Sequence, residues 1–243
     1  DGSLTTGMQL QKAGIPCVGV PKTIDNDLEA TATTFGFDSA VTSVVDALDR
    51  LQTTASSHKR VMVLEVMGRH AGWIALYGGI AGGASVILIP EIPFNFESVT
   101  QAIRNRSAQG HHSSLVVVAE GAFPDGGHQI HGEAEVGEYK LGGIGELVKE
   151  KIIEMTGKET RASTLGHLQR GGAPTSLDRI LGTRFGVMAV KLIEEGKFGQ
   201  MVSYQSYHVD SVPIEDAVNK LKLVDPEGEI VGAARAVGIS FGD

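Results

Sequence analysis

The segment Pro21-Lys22-Thr23-Ile24-Asp25-Asn26-Asp27 sets an ammonium, a hydroxyl and two carboxylates almost side by side. It follows an apolar run, Cys17 to Val20, bracketed by Pro16 and Pro21, which is expected to be a buried strand. In extended backbone, residues two apart share a face. Thr23, Asp25 and Asp27 are therefore expected to project together, while Ile24 turns back toward the protein. Open α/β sheets bind ligands at the C-terminal ends of their strands, which is where these groups fall. Such a carboxylate pair can divide its labour, one acting as general base and the other holding Mg2+ or orienting the first. The alternative for the same residues is an Asx-rich turn that caps the following helix. A calcium loop is excluded: counted from Asp25, the required Gly is replaced by Ala30 and the closing Glu by Gly36.

Three further strand ends carry polar groups. In "VMGRHAGWIAL", Met67-Gly68-Arg69 closes the run from Val61; a glycine there lets backbone N–H groups face a ligand, and Arg69 can reach a phosphate. A helix start with a solvated arginine is the competing reading. In "VVVAEGAF", Glu120 suits sugar hydroxyls or, equally, a helix N-terminus. In "TLGHLQRGG", His167 and Arg170 stand three apart beside paired glycines, donors that suit a phosphate or merely decorate a surface.

The elements that must position these groups are legible as periods. "IPCVGVP", "VMVLEVMG", "SVILIPE" and "LVVVAEG" are short, nearly continuous apolar runs, the pattern of strands buried on both faces. Phe37, Val41, Val44, Val45, Leu48 and Leu51 recur at helical spacing, and Trp73 to Ile80, Val99 to Ile103 and Ile144 to Met155 behave alike. Strand–helix alternation predicts a doubly wound α/β fold. Asp125 to Gly145 is polar and Gly-rich and is expected to be a surface loop or hairpin insertion. A long helix is expected from about Ser176 to Glu195, closed by Gly196.

Composition narrows the function classes. The formal net charge of −8 gives no general affinity for nucleic acid or anionic membrane, so any bound anion needs a local cluster of arginines. One cysteine, Cys17, excludes a disulfide scaffold and a Cys-rich metal site. No apolar run approaches a bilayer span, and no signal peptide is visible, so a reducing, cytoplasmic setting is expected.

In chain order, "PKTIDND", "MGRHAGW", "EGAF" and "LGHLQRGG" resemble the motifs of the phosphofructokinase family, and the similarity covers essentially the whole chain. The resemblance implies an α/β fold of doubly wound, mostly parallel sheets, with two similar Rossmann-like subdomains and the sugar-phosphate site between them. Residues 1–35 would complete a donor-binding subdomain, residues 36–155 would form the sugar-phosphate-binding subdomain, and residues 156–243 would cross back between the two. Asp25 would be the base that takes the proton from the C1 hydroxyl of fructose 6-phosphate, with Thr23, Asp27 and Arg69 supporting transfer. Thr23, Ile24, Met67, Gly68 and Arg69 would line the sugar site, with Glu120 on sugar hydroxyls. Arg161, His167, Leu168, Gln169 and Arg170 would hold the sugar phosphate. Arg60 and Arg161 would come from a neighbouring subunit of a homo-oligomer, dimer or tetramer. Asp1 would belong to a Gly-Gly-Asp-Gly-Ser turn and lie at Mg2+, with Gly2, Ser3 and Lys22 on the donor side.

The implied reaction transfers a phosphoryl group from ATP to fructose 6-phosphate in glycolysis. Lys22 matches pyrophosphate users, whereas Gly2 matches ATP users, because a carboxylate at that position would crowd and repel the α-phosphate. ATP is the expected donor and pyrophosphate the alternative. A non-catalytic, sugar-phosphate-binding subunit is a second alternative, opposed by the intact Thr-x-Asp-x-Asp set. The family's N-terminal strand and glycine-rich nucleotide loop are expected ahead of Asp1, so the 243 residues alone are expected to be inactive.

Overall fold

The structure is a computed structural model that describes residues 2–129, 131–132 and 140–243. From the N-terminus the chain forms helix α1 (Gly2–Lys12), three two-residue strands β1 (Val18–Gly19), β2 (Lys22–Thr23) and β3 (Phe35–Gly36), and the long helix α2 (Phe37–His58). Strand β4 (Val61–Val66), helix α3 (Trp73–Ala81), strand β5 (Val86–Leu88), helix α4 (Phe96–Ala108) and strand β6 (Ser114–Ala119) follow. Two short strands, β7 (His131–Gly132) and β8 (Lys140–Leu141), precede helix α5 (Ile144–Thr156), strand β9 (Thr160–Thr164) and a 3-10 turn at Gly166–Arg170. Helix α6 (Ser176–Glu194), strands β10 (Gln200–Gln205) and β11 (His208–Pro213), and helices α7 (Ile214–Val218) and α8 (Glu229–Ala236) complete the order.

The chain divides into two compact units, residues up to Ala40 with Gly172–Lys222, and Val41–Gly171 with Leu223–Asp243. The divisions fall inside α2, just beyond the 3-10 turn and after Lys222. Each unit draws on segments distant in sequence.

The second unit has the expected parallel α/β architecture. Its four strands run in the order β5-β6-β4-β9, all parallel, with Val61 opposite Ser114 and Val66 opposite Ala119. β4 and β6 are buried along their whole lengths, as two-sided burial in a parallel sheet requires. Val61, Val63, Val116 and Val118 pack on one face against Val99 and Ile103 of α4 and Ile144, Val148 and Ile152 of α5. α3 covers the other face, where Gly79 lies against Ile87, while Gly78 and Gly82 lie against Val44 and Leu48 of α2. A Cβ on Gly82 would sit 2.3 Å from Leu48 Cδ1, so only glycine permits this approach. Glu65 interrupts the apolar run of β4 and is 3% exposed, but its carboxylate accepts the N–H groups of Gly143 and Gly145 at the start of α5.

In the first unit, β1 runs parallel to β10, which pairs antiparallel with β11, and β2 pairs parallel with β3. Only Val18–Gly19 of the "IPCVGVP" run joins a ladder, so the expected strand is shorter than its apolar pattern. Leu181, Phe185 and Leu192 of α6 pack with Val202, Val18 and Phe35. α6 ends at Glu194, with Gly196 at φ +68° directly beyond its cap, close to the expected limits. The buried Asp178 accepts the N–H groups of Gly36 and Ser39 at 2.8 Å each and so caps α2, a role with no sequence signal.

Gly2 and Ser3 open helix α1 instead of continuing a turn. Of the expected loop or hairpin at Asp125 to Gly145, β7 and β8 form an antiparallel pair; residues 130 and 133–139 lie outside the described residues. Among the described residues no helix is long and apolar enough to cross a membrane.

Candidate active site

In the first unit, β2 ends at Thr23 and the chain bends. Asn26 is left-handed at φ +54°, so strict extended alternation stops there. The burial alternation survives nonetheless: Ile24, Asn26 and Leu28 are buried, while Thr23, Asp25 and Asp27 are half-exposed. Ile24 and Leu28 anchor the segment in the core, and the polar groups leave on the other side. Thr23 Oγ1 donates to Asp25 Oδ2 at 3.1 Å and accepts the Asp25 N–H at 3.2 Å. One hydroxyl thus fixes both the backbone and the side chain of Asp25. The turn does not cap a helix, since α2 begins only at Phe37 and Asp178 caps it.

Asp27 differs from its neighbour in kind. Its Oδ1 is buried with no hydrogen-bond partner among the described residues. Burial pushes its carboxyl up from the ordinary aspartate range, and the charge of Asp25 adds to the effect. Two carboxylates held in unlike environments are what a divided acid–base role requires.

Asn26 is held from two directions. Its Oδ1 accepts the Thr34 N–H at 3.1 Å and the Lys222 ammonium at 3.0 Å. Lys222 was invisible to sequence reasoning because it lies 196 residues from Asn26. Burial pushes this ammonium down to about 8, against the pull of the Glu29 and Asp27 charges.

Lys22 is exposed at the start of β2, and Gly2 and Ser3 are exposed in the first turn of α1. A Cβ added at Gly2 would meet nothing within 4 Å. Asp1 lies outside the described residues.

In the second unit, the ends of β4 and β6 build one platform. The Glu120 N–H donates to Val66 O at 2.8 Å and the Gly121 N–H to Gly68 O at 3.0 Å. A Cβ on Gly121 would lie 2.1 Å from Arg69 O, so the two loops touch backbone to backbone. Gly68 takes φ +146°, which only glycine adopts comfortably. Arg69 is exposed, and its carbonyl accepts from Gln129 Nε2 at 2.8 Å. Glu120 stands half-buried beside it.

The 3-10 turn presents His167 and Arg170 to solvent and leaves Leu168 73% exposed. Gln169 differs, at 2% exposed: its Oε1 accepts the Met67 N–H at 3.3 Å and its Nε2 donates to Gly166 O at 3.0 Å. It ties the Met67–Arg69 loop to the His167–Arg170 turn. Replacing it with Leu is expected to raise the KM for a phosphorylated ligand several-fold with a smaller change in kcat, since both loops lose their shared register. Steady-state kinetics at varied sugar phosphate checks this.

Arg60 and Arg161 converge on Glu159. Arg60 Nε lies 2.9 Å from one Glu159 oxygen, without the alignment of a hydrogen bond, and Arg161 donates to the other at 2.9 Å. Arg60 and then Arg161 hold the Glu159 carboxyl below its usual range. The Glu159-x-Arg161 spacing, with Glu159 directly before strand β9 and Arg161 on it, was the available signal, since residues two apart in extended backbone share a face.

Among the described residues no group of three or more His, Cys, Asp or Glu side chains is placed to hold a metal ion. Mg2+ in phosphoryl-transfer sites commonly binds through one or two carboxylates together with water and substrate phosphates.

Comparison with known proteins adds the following. The sequence profile of the family described as Phosphofructokinase matches residues 1–193. An "ATP-dependent 6-phosphofructokinase" of Chloroflexus aggregans is 51% identical over all of this chain and 67% of its own length. A "Pyrophosphate--fructose 6-phosphate 1-phosphotransferase" of Amycolatopsis methanolica is also 51% identical, over 93% of this chain and 67% of its own. The crystal structure of a pyrophosphate-dependent phosphofructokinase from Nitrosospira multiformis superposes with a TM-score of 0.80 at 26% identity, over 99% of this chain and 66% of that one. The chain thus spans about two thirds of the length of the curated relatives it matches.

Proposed function

The chain belongs to the phosphofructokinase family, and from that premise we propose that its residues serve an ATP-dependent 6-phosphofructokinase, which phosphorylates the C1 hydroxyl of fructose 6-phosphate. The observation that carries the reading is the Asp25 carboxylate held by Thr23 at 3.1 Å beside the buried Asp27 Oδ1, which has no hydrogen-bond partner among the described residues. Phosphoryl transfer asks the protein mainly for positioning, cationic charge on the transferred group and a base for the attacking hydroxyl. Asp25 accepts the hydroxyl proton as the new P–O bond forms. Thr23 keeps the accepting oxygen aimed, and Asp27 supports the hydroxyl and the transferred group. Arg69 neutralises charge on that group, and Met67, Gly68 and Glu120 orient the sugar. Arg161, His167 and Arg170 hold the 6-phosphate, with Gln169 setting the register of their turn.

Asp1, Gly2 and Ser3 fit a metal–phosphate complex: one carboxylate, one hydroxyl and a helix start that favours phosphate. Bound Mg2+ would neutralise charge on the donor phosphates there. The reading includes a homo-oligomer, dimer or tetramer, in which Arg60 and Arg161 leave Glu159 for a neighbouring subunit's ligand. It also places the enzyme in the cytoplasm, in keeping with the free thiol of Cys17.

Arg161→Ala or Arg170→Ala is expected to raise the KM for fructose 6-phosphate about 10- to 100-fold with little loss of kcat, the worth of one charge-assisted hydrogen bond far from the reacting oxygen. If Arg161 serves a neighbour's site, mixing Arg161→Ala and Asp25→Asn subunits restores part of the activity. Hybrids with no recovery would sink the shared site. Pyrophosphate is the second reading, favoured by Lys22, which is exposed at the start of β2.

A further inference from the structure

An unusual stretch of backbone begins within the Asp25–Asp27 segment and runs beyond it. Asn26 and Ala30 both adopt left-handed conformations, at φ +54° and +59°. Asparagine tolerates this, but alanine does so only when its surroundings impose it. The carbonyl of Ala30 is held from β10, where Ser203 Oγ and Gln205 Nε2 both donate to it. The rest of the stretch is held by Tyr204 of β10, whose N–H donates to Thr31 Oγ1 at 3.1 Å and whose carbonyl accepts the Ala32 N–H at 2.7 Å, and by one side chain from the far end of the same unit. Lys222 Nζ donates to Asn26 Oδ1, Thr31 O and Ala32 O, each at 3.0 Å. The Lys222 N–H also donates to Asp27 O at 2.9 Å, and Leu221 bridges Leu28 in antiparallel fashion.

We propose that Lys222 is a positioning residue for phosphoryl transfer: its ammonium ties Asn26 to the Thr31–Ala32 turn and so fixes the backbone that aims Asp25 and Asp27. The proposal rests on the phosphotransferase reading for its activity arm alone. The ammonium meets three oxygens of one loop, Asn26 Oδ1 and the carbonyls of Thr31 and Ala32, which is the geometry of a clamp. Its partial burial fits the same role, since an ammonium withdrawn from water holds its acceptors more firmly than an exposed one. Asp27 feels the Lys222 charge as well, which opposes the upward push of burial on its carboxyl.

The test uses the complete enzyme with Lys222→Met, which keeps most of the side-chain stem and removes the donors. The expected result is a fall in kcat of about tenfold or more with the KM for fructose 6-phosphate changed by less than about threefold. Amide exchange over residues 26–34 is expected to quicken about tenfold while β4 and β6 keep their protection. Asn26→Gly keeps the left-handed backbone and removes the acceptor, so adding Lys222→Met to it should cost less than Lys222→Met alone. Where Lys222→Met does not fold, Lys222→Gln is read by the same criteria. The proposal is overturned by kcat within about twofold of wild type, by a change confined to KM, by exchange that quickens throughout the unit, or by failure of both variants to fold. If the wild-type enzyme phosphorylates no sugar, the functional reading fails, and the exchange arm still decides whether the clamp exists.

Discussion

Asp25→Asn or Asp25→Ser in the complete enzyme is expected to lower kcat by roughly 10²–10⁴, the usual span for a general base, with little change in sugar-phosphate affinity. Asn keeps the shape of the side chain and a group that Thr23 Oγ1 can still meet, so the Asp25 turn should persist. What is lost is the ability to accept the hydroxyl proton. The proposed phosphate-binding groups, His167 and Arg170, stand on a turn of the other unit, so their contribution to binding should survive. Asp27→Asn is expected to reduce kcat as well, because its carboxylate leaves on the same side. Steady-state kinetics with fructose 6-phosphate decides the matter: a variant with near-normal kcat removes Asp25 from the role of base.

Gly2→Asp is expected to impair ATP use by several orders of magnitude while sparing any pyrophosphate activity. The structure makes this substitution informative. An added Cβ meets nothing within 4 Å, and aspartate is welcome in the first turn of a helix, so the fold should not suffer. A loss specific to ATP would then report steric and like-charge conflict with the α-phosphate and ribose. Lys22→Gly should cost pyrophosphate turnover more than ATP turnover, since pyrophosphate has no nucleoside contacts to compensate. Equal losses with both donors, with the melting temperature unchanged, would contradict the assignment of Gly2 to the nucleotide path.

Much of the second unit was legible because burial leaves a periodic trace. The unbroken apolar runs of β4 and β6, and the stripe from Phe37 to Leu51 on α2, appear where their patterns placed them. α6 could be bounded from Ser176 to Gly196 by its cap chemistry. Other elements left no such trace. β9 is an edge strand whose Thr160–Thr164 sequence is mostly exposed and polar. The β10–β11 hairpin turns through Ser206 and Tyr207, both left-handed at φ +48° and +67°, without the Asn-Gly or Gly that signals such a turn. At the site, spacing alone separated Ile24 from Thr23, Asp25 and Asp27, and burial bears this out. It could not show that Gln169 is buried as a joint, nor that Lys222 reaches Asn26, because both depend on contacts between distant segments.

The most direct test gives the complete wild-type enzyme fructose 6-phosphate and Mg2+ with ATP or pyrophosphate in separate assays, and follows fructose 1,6-bisphosphate. The account predicts robust turnover with ATP. Robust turnover with pyrophosphate and none with ATP would contradict it.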